Sequence, residues 1–545
     1  RSRDPAVRRA AQVAVEQLAQ RGLIEQALDL AQRLPSDALD EQGFVGLYTK
    51  AAQLREQARQ LRAQRPDEAR ALAQQAATLA ERALQEAGDS ASLRYAALAL
   101  AASAWSEADR SGQAPARAAR LFEQAAELAP DDAARGEALW GAIAALAQGG
   151  DPERRTALTE RFLAAFPHHR RYGAVALEAS RLAGADPVLT AQRLLRTPVT
   201  DPLVEAARSR AAALLFEAQR SATPSTRPSL VGRYLDVALG LLFVDLRRAE
   251  DGDVEAGRRA LARARRILEA ATTSAPVDLA SARRALEAVE SLQGRVDIDA
   301  AARDEIDERR VRTLLASGAI DDAAALAQTL GRRSPGSVWA ASATQLVLQA
   351  AVERWRAALR SEGDAANELR RAAAQQLLRV AMPLLSDASQ ELDDRLAPVA
   401  SALAEAAFLL WSEAPDDEAL LERAWRLNEE ALAQRPRQRG ALRRSGVLAM
   451  ARGDAQRALE AWRTLSAALA QTDDPGWFEA RLGVIEALER LDPQRAREAM
   501  AQHMAMHPEL APPPLTEGFK AAARRLGLHE EAPSAPADEA GGGRR

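Results

Sequence analysis

Cysteine is absent from this chain of 545 residues, which excludes disulfides, thiolate metal sites and a cysteine nucleophile. A chain of this length without cysteine is compatible with an exported bacterial protein. Aromatic residues make up only 4% of the sequence although hydrophobic residues make up 47%. The apolar content is therefore mainly Ala and Leu, which combine high helix propensity with close helix packing. No stretch alternates apolar and polar residues with β-branched enrichment long enough for a sheet. Long hydrophobic runs are also missing: the longest, Tyr234 to Leu246, contains Asp236 and Asp245 and falls short of the ~20 residues that span a bilayer. The sequence reads as all-α, with no integral membrane segment.

Neither sign of charge dominates. The 73 basic and 77 acidic residues leave a net charge of −4, which argues against a polyanion-binding surface and hence against nucleic acid as a partner. Lys50 and Lys520 are the only lysines. The arginine bias reflects genomic base composition, and the arginines are interspersed with Glu and Asp at helical spacing, as on a solvated helix surface. The densest run, Arg258, Arg259, Arg263, Arg265 and Arg266, lacks interleaved aromatics for base stacking and has Glu255 and Glu269 beside it. It reads as a solvated helix face.

Residues for catalysis are equally scarce. There are five histidines. His503 and His507 share a helical face at a spacing of four, but they lack a third ligand and the HExxH pattern, so they read as structural. The adjacent His168 and His169 follow Pro167 at a helix end. The carboxylate pairs Asp131-Asp132, Asp321-Asp322, Asp393-Asp394 and Asp416-Asp417 fall at expected helix starts, where they accept orphan backbone N–H groups. The sequence carries no GxGxxG, Walker A loop or G-x-S-x-G elbow. Neither a catalytic site, nor a cofactor, nor a metal is expected. The eight tryptophans read as packing residues, with Trp477 the best candidate for an exposed ring because it begins a helix.

What the sequence does have is a repeat. Ala118 to Pro130, Ala323 to Pro335, Ala424 to Pro436 and Ala496 to Pro508 are four intervals of equal length. Each fits one short second helix of a hairpin: a small residue at the crossing, then a proline that forbids continuation. The clearest copy spans the 34 residues from Arg439 to Thr472. Leu442, Gly446 and Ala449 share one face of a first helix, Gly453-Asp454 form the turn, and Ala458, Trp462 and Leu465 share a face of the second. The code Ala424, Asn428, Ala431, Pro436 precedes it, and Leu482-Gly483 with Ala496, Met500 and Pro508 follow.

This pattern resembles the tetratricopeptide (TPR) family, whose consensus places Trp, Leu-Gly and Tyr in the first helix and Ala, an aromatic and Pro in the second. Gly446, Ala458 and Trp462 match that frame; Leu442, Ser445 and Ala449 replace the Trp, Leu and Tyr. The resemblance covers residues 424–508 best and is degenerate elsewhere. It implies a TPR-like α-solenoid of antiparallel hairpins in a right-handed superhelix, whose first helices line a concave groove that takes a protein or peptide partner. Projected from the Gly446 frame, groove positions are Arg443, Val447 and Met450, with Arg481 and Val484 in the next repeat and Glu308 and Arg312 from the Gly318 turn. The TPR subgroup that clamps carboxylates uses Lys and Asn at such places; Arg443 stands for the Lys, but Val447 replaces the Asn.

Along the chain the expectation is an N-terminal helical-repeat segment at 1–219, a central degenerate segment at 230–435, C-terminal TPR repeats with a capping helix at 436–528 and a disordered tail at 529–545. Arg220 to Ser229, rich in Pro, Ser and Thr, marks the break. The first residue is Arg1 rather than Met, which is compatible with a removed leader or a missing start, and the compartment stays open between bacterial cytoplasm and periplasm or cell envelope. Oligomeric state is open as well. The functional expectation is a non-enzymatic scaffold. Its rivals are a carbohydrate- or cell-wall-binding solenoid with exposed Trp rings, and an enzyme of which these repeats are a regulatory portion.

Overall fold

The structure, a computed structural model, describes residues 5–21, 23–33, 43–108, 113–149, 151–182, 184, 186–387, 397–469 and 475–528. The chain divides into two compact units, Arg1–Pro276 and Val277–Arg545. The first contains α1 (Pro5–Gln20), α2 (Ile24–Arg33), α3 (Phe44–Leu61), α4 (Pro66–Glu86), α5 (Ala91–Ala108), α6 (Ala114–Glu127), α7 (Asp132–Leu146), α8 (Pro152–Ala165), α9 (Tyr172–Ala179), α10 (Pro187–Leu195), α11 (Val204–Ser221), α12 (Arg227–Glu250) and α13 (Val254–Thr273). The second contains α14 (Leu279–Leu292), α15 (Ala300–Ala316), α16 (Ile320–Arg333), α17 (Val338–Leu359), α18 (Ala366–Asp387), α19 (Ala397–Glu413), α20 (Glu418–Gln434), α21 (Arg439–Ala451), α22 (Ala455–Ala468), α23 (Pro475–Leu491), α24 (Pro493–Met506) and α25 (Leu515–Arg525). Among the described residues there is no strand, only an isolated bridge between Gln293 and Val296.

Within each unit successive helices pack on one another, and alternate helices also meet, as α3 meets α5 and α21 meets α23. This is the all-α, TPR-like solenoid arrangement. The Ala–Pro intervals locate the second helices. Ala118, Ala323, Ala424 and Ala496 are all fully buried, and α6, α16, α20 and α24 end two or three residues before Pro130, Pro335, Pro436 and Pro508. Ser334, Arg435 and His507, each directly before a proline, have φ between −131° and −136° and ψ between 66° and 81°. A proline ring excludes the helical conformation at the residue before it, so the stop is built into the sequence.

Turns are equally local. Gly453 adopts φ +79° as the left-handed residue after α21, where its N–H donates to the Met450 carbonyl and that of Asp454 to Ala449. The Asp454 carboxylate then accepts from the Arg457 N–H at 3.0 Å and starts α22. One Gly-Asp pair thus ends one helix and begins the next. Among the described residues nine helices begin with an aspartate whose side chain accepts a backbone N–H: Asp131, Asp151, Asp186, Asp253, Asp278, Asp299, Asp417, Asp454 and Asp492. Each such cap contributes roughly 1 kcal/mol. Asp131 and Asp417 thereby take the capping role read from the sequence; Asp393-Asp394 lies outside the described residues.

The Pro/Ser/Thr segment at 220–229 falls inside the first unit. It joins α11 to α12, which pack together, while the division lies at Pro276–Val277. The Arg227 guanidinium donates to the Gln219 and Arg220 carbonyls, tying the start of α12 to the end of α11. The tail at 529–545 lies outside the described residues.

Candidate protein-binding surface

The C-terminal first helices are positioned by one side chain. Trp462 of α22 is buried between α21 and α23, at the two glycines Gly446 and Gly483. A methyl group on either glycine would stand 2.3 and 2.5 Å, respectively, from the indole Cε2, inside van der Waals contact. Only glycine admits the ring at this depth. Charge then staples the same two helices: Arg443 on α21 donates from Nε to both oxygens of Glu479 on α23, at 2.7 and 2.8 Å. Arg490 on α23 donates to the Met450 carbonyl at 2.8 Å. Val447 is half-buried and touches the apolar clusters on both sides of α21, and Met450 is half-buried against the C-terminal cluster. Arg443, Val447 and Met450 are thus on one helix, with Arg443 exposed.

The other projected positions are placed differently. Glu308 is fully buried, where it accepts from Arg312 Nε and from Ser342 Oγ, both at 2.8 Å. It ties α15 to α17 and presents nothing outward. Arg312 is half-buried in the same cluster. Val484 lies in the C-terminal apolar cluster at 6% exposure. Arg481 is half-buried and reaches α24, with Nη2 3.4 Å from the Ala499 carbonyl and 3.3 Å from Gln502 Oε1. Arg444, two residues before Gly446 as Arg481 is before Gly483, is buried and donates to Asn428 Oδ1 at 3.0 Å. Desolvation lowers the pKa of both arginines. The position two before the glycine therefore faces inward in both repeats.

The arginine run on α13 is occupied. Arg259 and Arg263 turn to Asp245 on α12, 2% exposed, at 3.3 and 3.1 Å. Arg258 binds Glu255, and Arg266 lies over the Phe216 ring at 5.9 Å. Asp245 is a residue whose role the sequence reading missed, though an acid inside the longest apolar run with two arginines 14 and 18 residues on was the available signal. A second feature was missed: a ladder on the second helices of the first unit. Glu81 on α4 binds Arg117 on α6, Glu123 on α6 binds Arg154 on α8, and Glu160 on α8 binds Arg193 on α10, at 2.5–2.8 Å. Arg117 and Glu123 are separated as Arg154 and Glu160 are, so α6 and α8 each pair backward and forward.

None of the eight tryptophans is exposed: Trp355, Trp411 and Trp462 are buried and the rest, Trp477 included, half-buried. His503 is fully buried, with Nε2 2.7 Å from the Leu510 carbonyl. His169 Nε2 lies 3.1 Å from the Ala133 carbonyl and its ring fills the space beside Gly136. Among the described residues no group of three or more His, Asp or Glu is placed to hold a metal ion, and no helix is long and apolar enough to cross a membrane. A cleft of about 710 Å³ is lined by Arg295, Arg303, Arg310, Arg333, Asp297 and Asp307, but Arg310 already binds Glu290, and Arg333 binds Asp304 and Asp307.

The buried small-residue crossings and the Gly446–Trp462–Gly483 interlock define an all-α protein of stacked helical hairpins, TPR-like in arrangement. No family model matches the chain, and no curated protein matches it. Among solved structures it is similar to the APC/C hetero-tetramer Cut9-Hcn1, at 13% identity over 90% of this chain and 96% of that one, TM-score 0.20. The P58(IPK) TPR domain is 12% identical over 82% and 99%, TM-score 0.20. A chain of Naa15/Naa10 bound to HypK-THB is 12% identical over 94% and 99%, TM-score 0.18. Superpositions this loose transfer no geometry to the present chain.

Proposed function

We propose that this protein is a non-enzymatic scaffold that binds a protein or peptide partner along its C-terminal first helices, around Arg443, Val447 and Met450. The observation carrying this reading is how the polar and aromatic side chains are engaged. The tryptophans pack between helices, nine aspartates among the described residues cap helix starts, and Arg258, Arg259 and Arg263 on α13 pair with acids of their own unit. Such engagement supports neither a glycan-stacking surface nor a nucleic-acid patch. Arg443 stands at the surface with a charged, pairable head next to two half-buried apolar neighbours, a combination suited to a partner segment of mixed polarity.

The test compares wild type with Arg443→Glu and with the exchanged pair Arg443→Glu/Glu479→Arg. The exchange keeps α21 and α23 bridged while inverting the surface pattern. Loss of one defined crosslinked partner in both variants, with helicity unchanged, is the expected result. Equal capture by all three proteins would remove this face from the proposal.

A further inference from the structure

The last described helix of the second unit is α25, which packs on α23 and α24 and buries Phe519, Ala522 and Ala523, with Leu526 buried just after it. Beneath it lies His503, whose ring stacks on Phe519 with centroids 4.2 Å apart and planes inclined by 10°. The rings of Phe478 and Trp477 on α23 stand 6.1 and 6.2 Å away. Nε2 donates to the Leu510 carbonyl at 2.7 Å, and Leu510 has φ +67°, an uncommon conformation for a bulky residue. Nδ1 is buried and has no hydrogen-bond partner. The same imidazole therefore pins the connection between α24 and α25 and forms the floor on which α25 rests.

We propose that α25 is an acid-released cap: addition of a second proton to His503, at Nδ1, lifts α25 from the end of the second unit. In the neutral ring the one N–H has an acceptor and the face has an aromatic partner, which leaves only the Nδ1 lone pair unmatched. The added N–H finds no acceptor among the described residues, so the charged ring is favoured where Phe519 has moved off its face and water can enter. The charged groups around the ring reinforce the effect. His507 on the same helix lies 5.0 Å away, centroid to centroid, and Arg481 comes from α23; both disfavour a second positive charge. On α25, Glu517 is held by Lys520 at 3.1 Å, and Glu509 beside Leu510 is exposed to solvent.

Burial holds the His503 pKa down at about 4 from its usual 6.5. A depressed folded-state pKa means that the closed cap has its full stability above pH 6.5 and loses it progressively as the pH falls from 6.5 to about 4. The cap-opening equilibrium should rise on the order of a hundredfold between pH 7 and pH 4.

Hydrogen exchange on the full chain from pH 7 to pH 4, corrected for intrinsic rates, tests this. Wild-type α25 amides should lose protection while those of α21 and α22 keep theirs. His503→Gln, whose amide can still donate to Leu510 but cannot titrate, should abolish the difference; His507→Gln should shift it and leave it in place. Equal loss in the His503→Gln protein, or full α25 protection at pH 4 in wild type, would overturn the proposal. Should the Gln variant fail to fold at pH 7, a ring-proton NMR titration of wild-type His503 decides: its midpoint must coincide with cap opening, and a titration near 6.5 with α25 closed throughout rejects it.

Discussion

Two hairpin stacks in this chain solve the same problem by opposite means. In α3 to α5 the helices approach through alanines: every fully buried residue of α4 is an alanine, from Ala69 to Ala83, and α5 answers with Ala97, Ala101 and Ala104. In α21 to α23 one large ring does the filling, and the two flanking helices give way to it at Gly446 and Gly483. The alanine face distributes close packing over many equivalent contacts, so no position is decisive. The indole concentrates it, and both helices then depend on the absence of two methyl groups. Phe122 against Gly141, where an added Cβ would lie 2.7 Å from the ring, is an intermediate case in the first unit.

The largest effect should come from removing the indole. Trp462→Ala deletes a buried aromatic whose walls cannot collapse fully, and a cost of about 3–5 kcal/mol is expected. Gly446→Ala forces the ring or α21 to shift, for about 1–3 kcal/mol. Combining Gly446→Ala with Trp462→Leu should cost less than the sum of the single changes, because the smaller side chain makes room for the methyl group. Hydrogen-exchange opening of α22 measures all three, which avoids assuming one cooperative transition for a repeat protein. A Gly446→Ala protein as stable as wild type would break the distinction between the two stacks.

On the alanine side the expected effect is smaller and of different origin. Ala76→Gly in α4 removes one methyl contact and lowers helix propensity, for about 1 kcal/mol. Neighbouring Ala73, Ala77 and Ala80, all fully buried, keep the helices apart at their present spacing. A cost above about 3 kcal/mol, measured by the same exchange experiment on α4, would mean that the alanine interface also has a decisive position.

The same contrast explains what could be read in advance. Proline stops, aspartate caps and small crossing residues act within one or two turns, so the ends of α16, α20 and α24 and the burial of Ala424 and Ala458 were legible. Trp462 was legible as the filler beyond Gly446; its second wall was not, since the contact with Gly483 depends on where the next hairpin lies. The outward-facing positions fared worst for that reason. Glu308 and Val484 were projected from a glycine frame, yet exposure is set by how neighbouring helices cross, and both are interior. Helix α11, with buried Ala207, Ala211 and Leu215, carries no Gly–Ala–Pro frame that would mark it in the sequence.

The smallest expected effect concerns charge, where the two stacks differ again. In the first unit Glu81 receives both Arg117, at 2.6 Å, and the Trp105 indole N–H, at 2.9 Å, and the Arg117 guanidinium lies over the Trp105 ring at 4.7 Å. In the C-terminal stack Arg443 pairs with Glu479 and, among the described residues, lies over no aromatic ring. Both pairs are solvent-accessible, so each contributes about 1 kcal/mol or less and weakens with salt. Arg117→Lys should nevertheless cost more than Arg443→Lys, because an ammonium loses the planar stack as well as the forked hydrogen bonds. Raising the ionic strength should erase most of the Arg443 effect and leave part of the Arg117 effect, the share that comes from ring contact. If both vanish together, the Trp105 face adds nothing beyond Coulombic attraction, and the two stacks use their surface arginines alike.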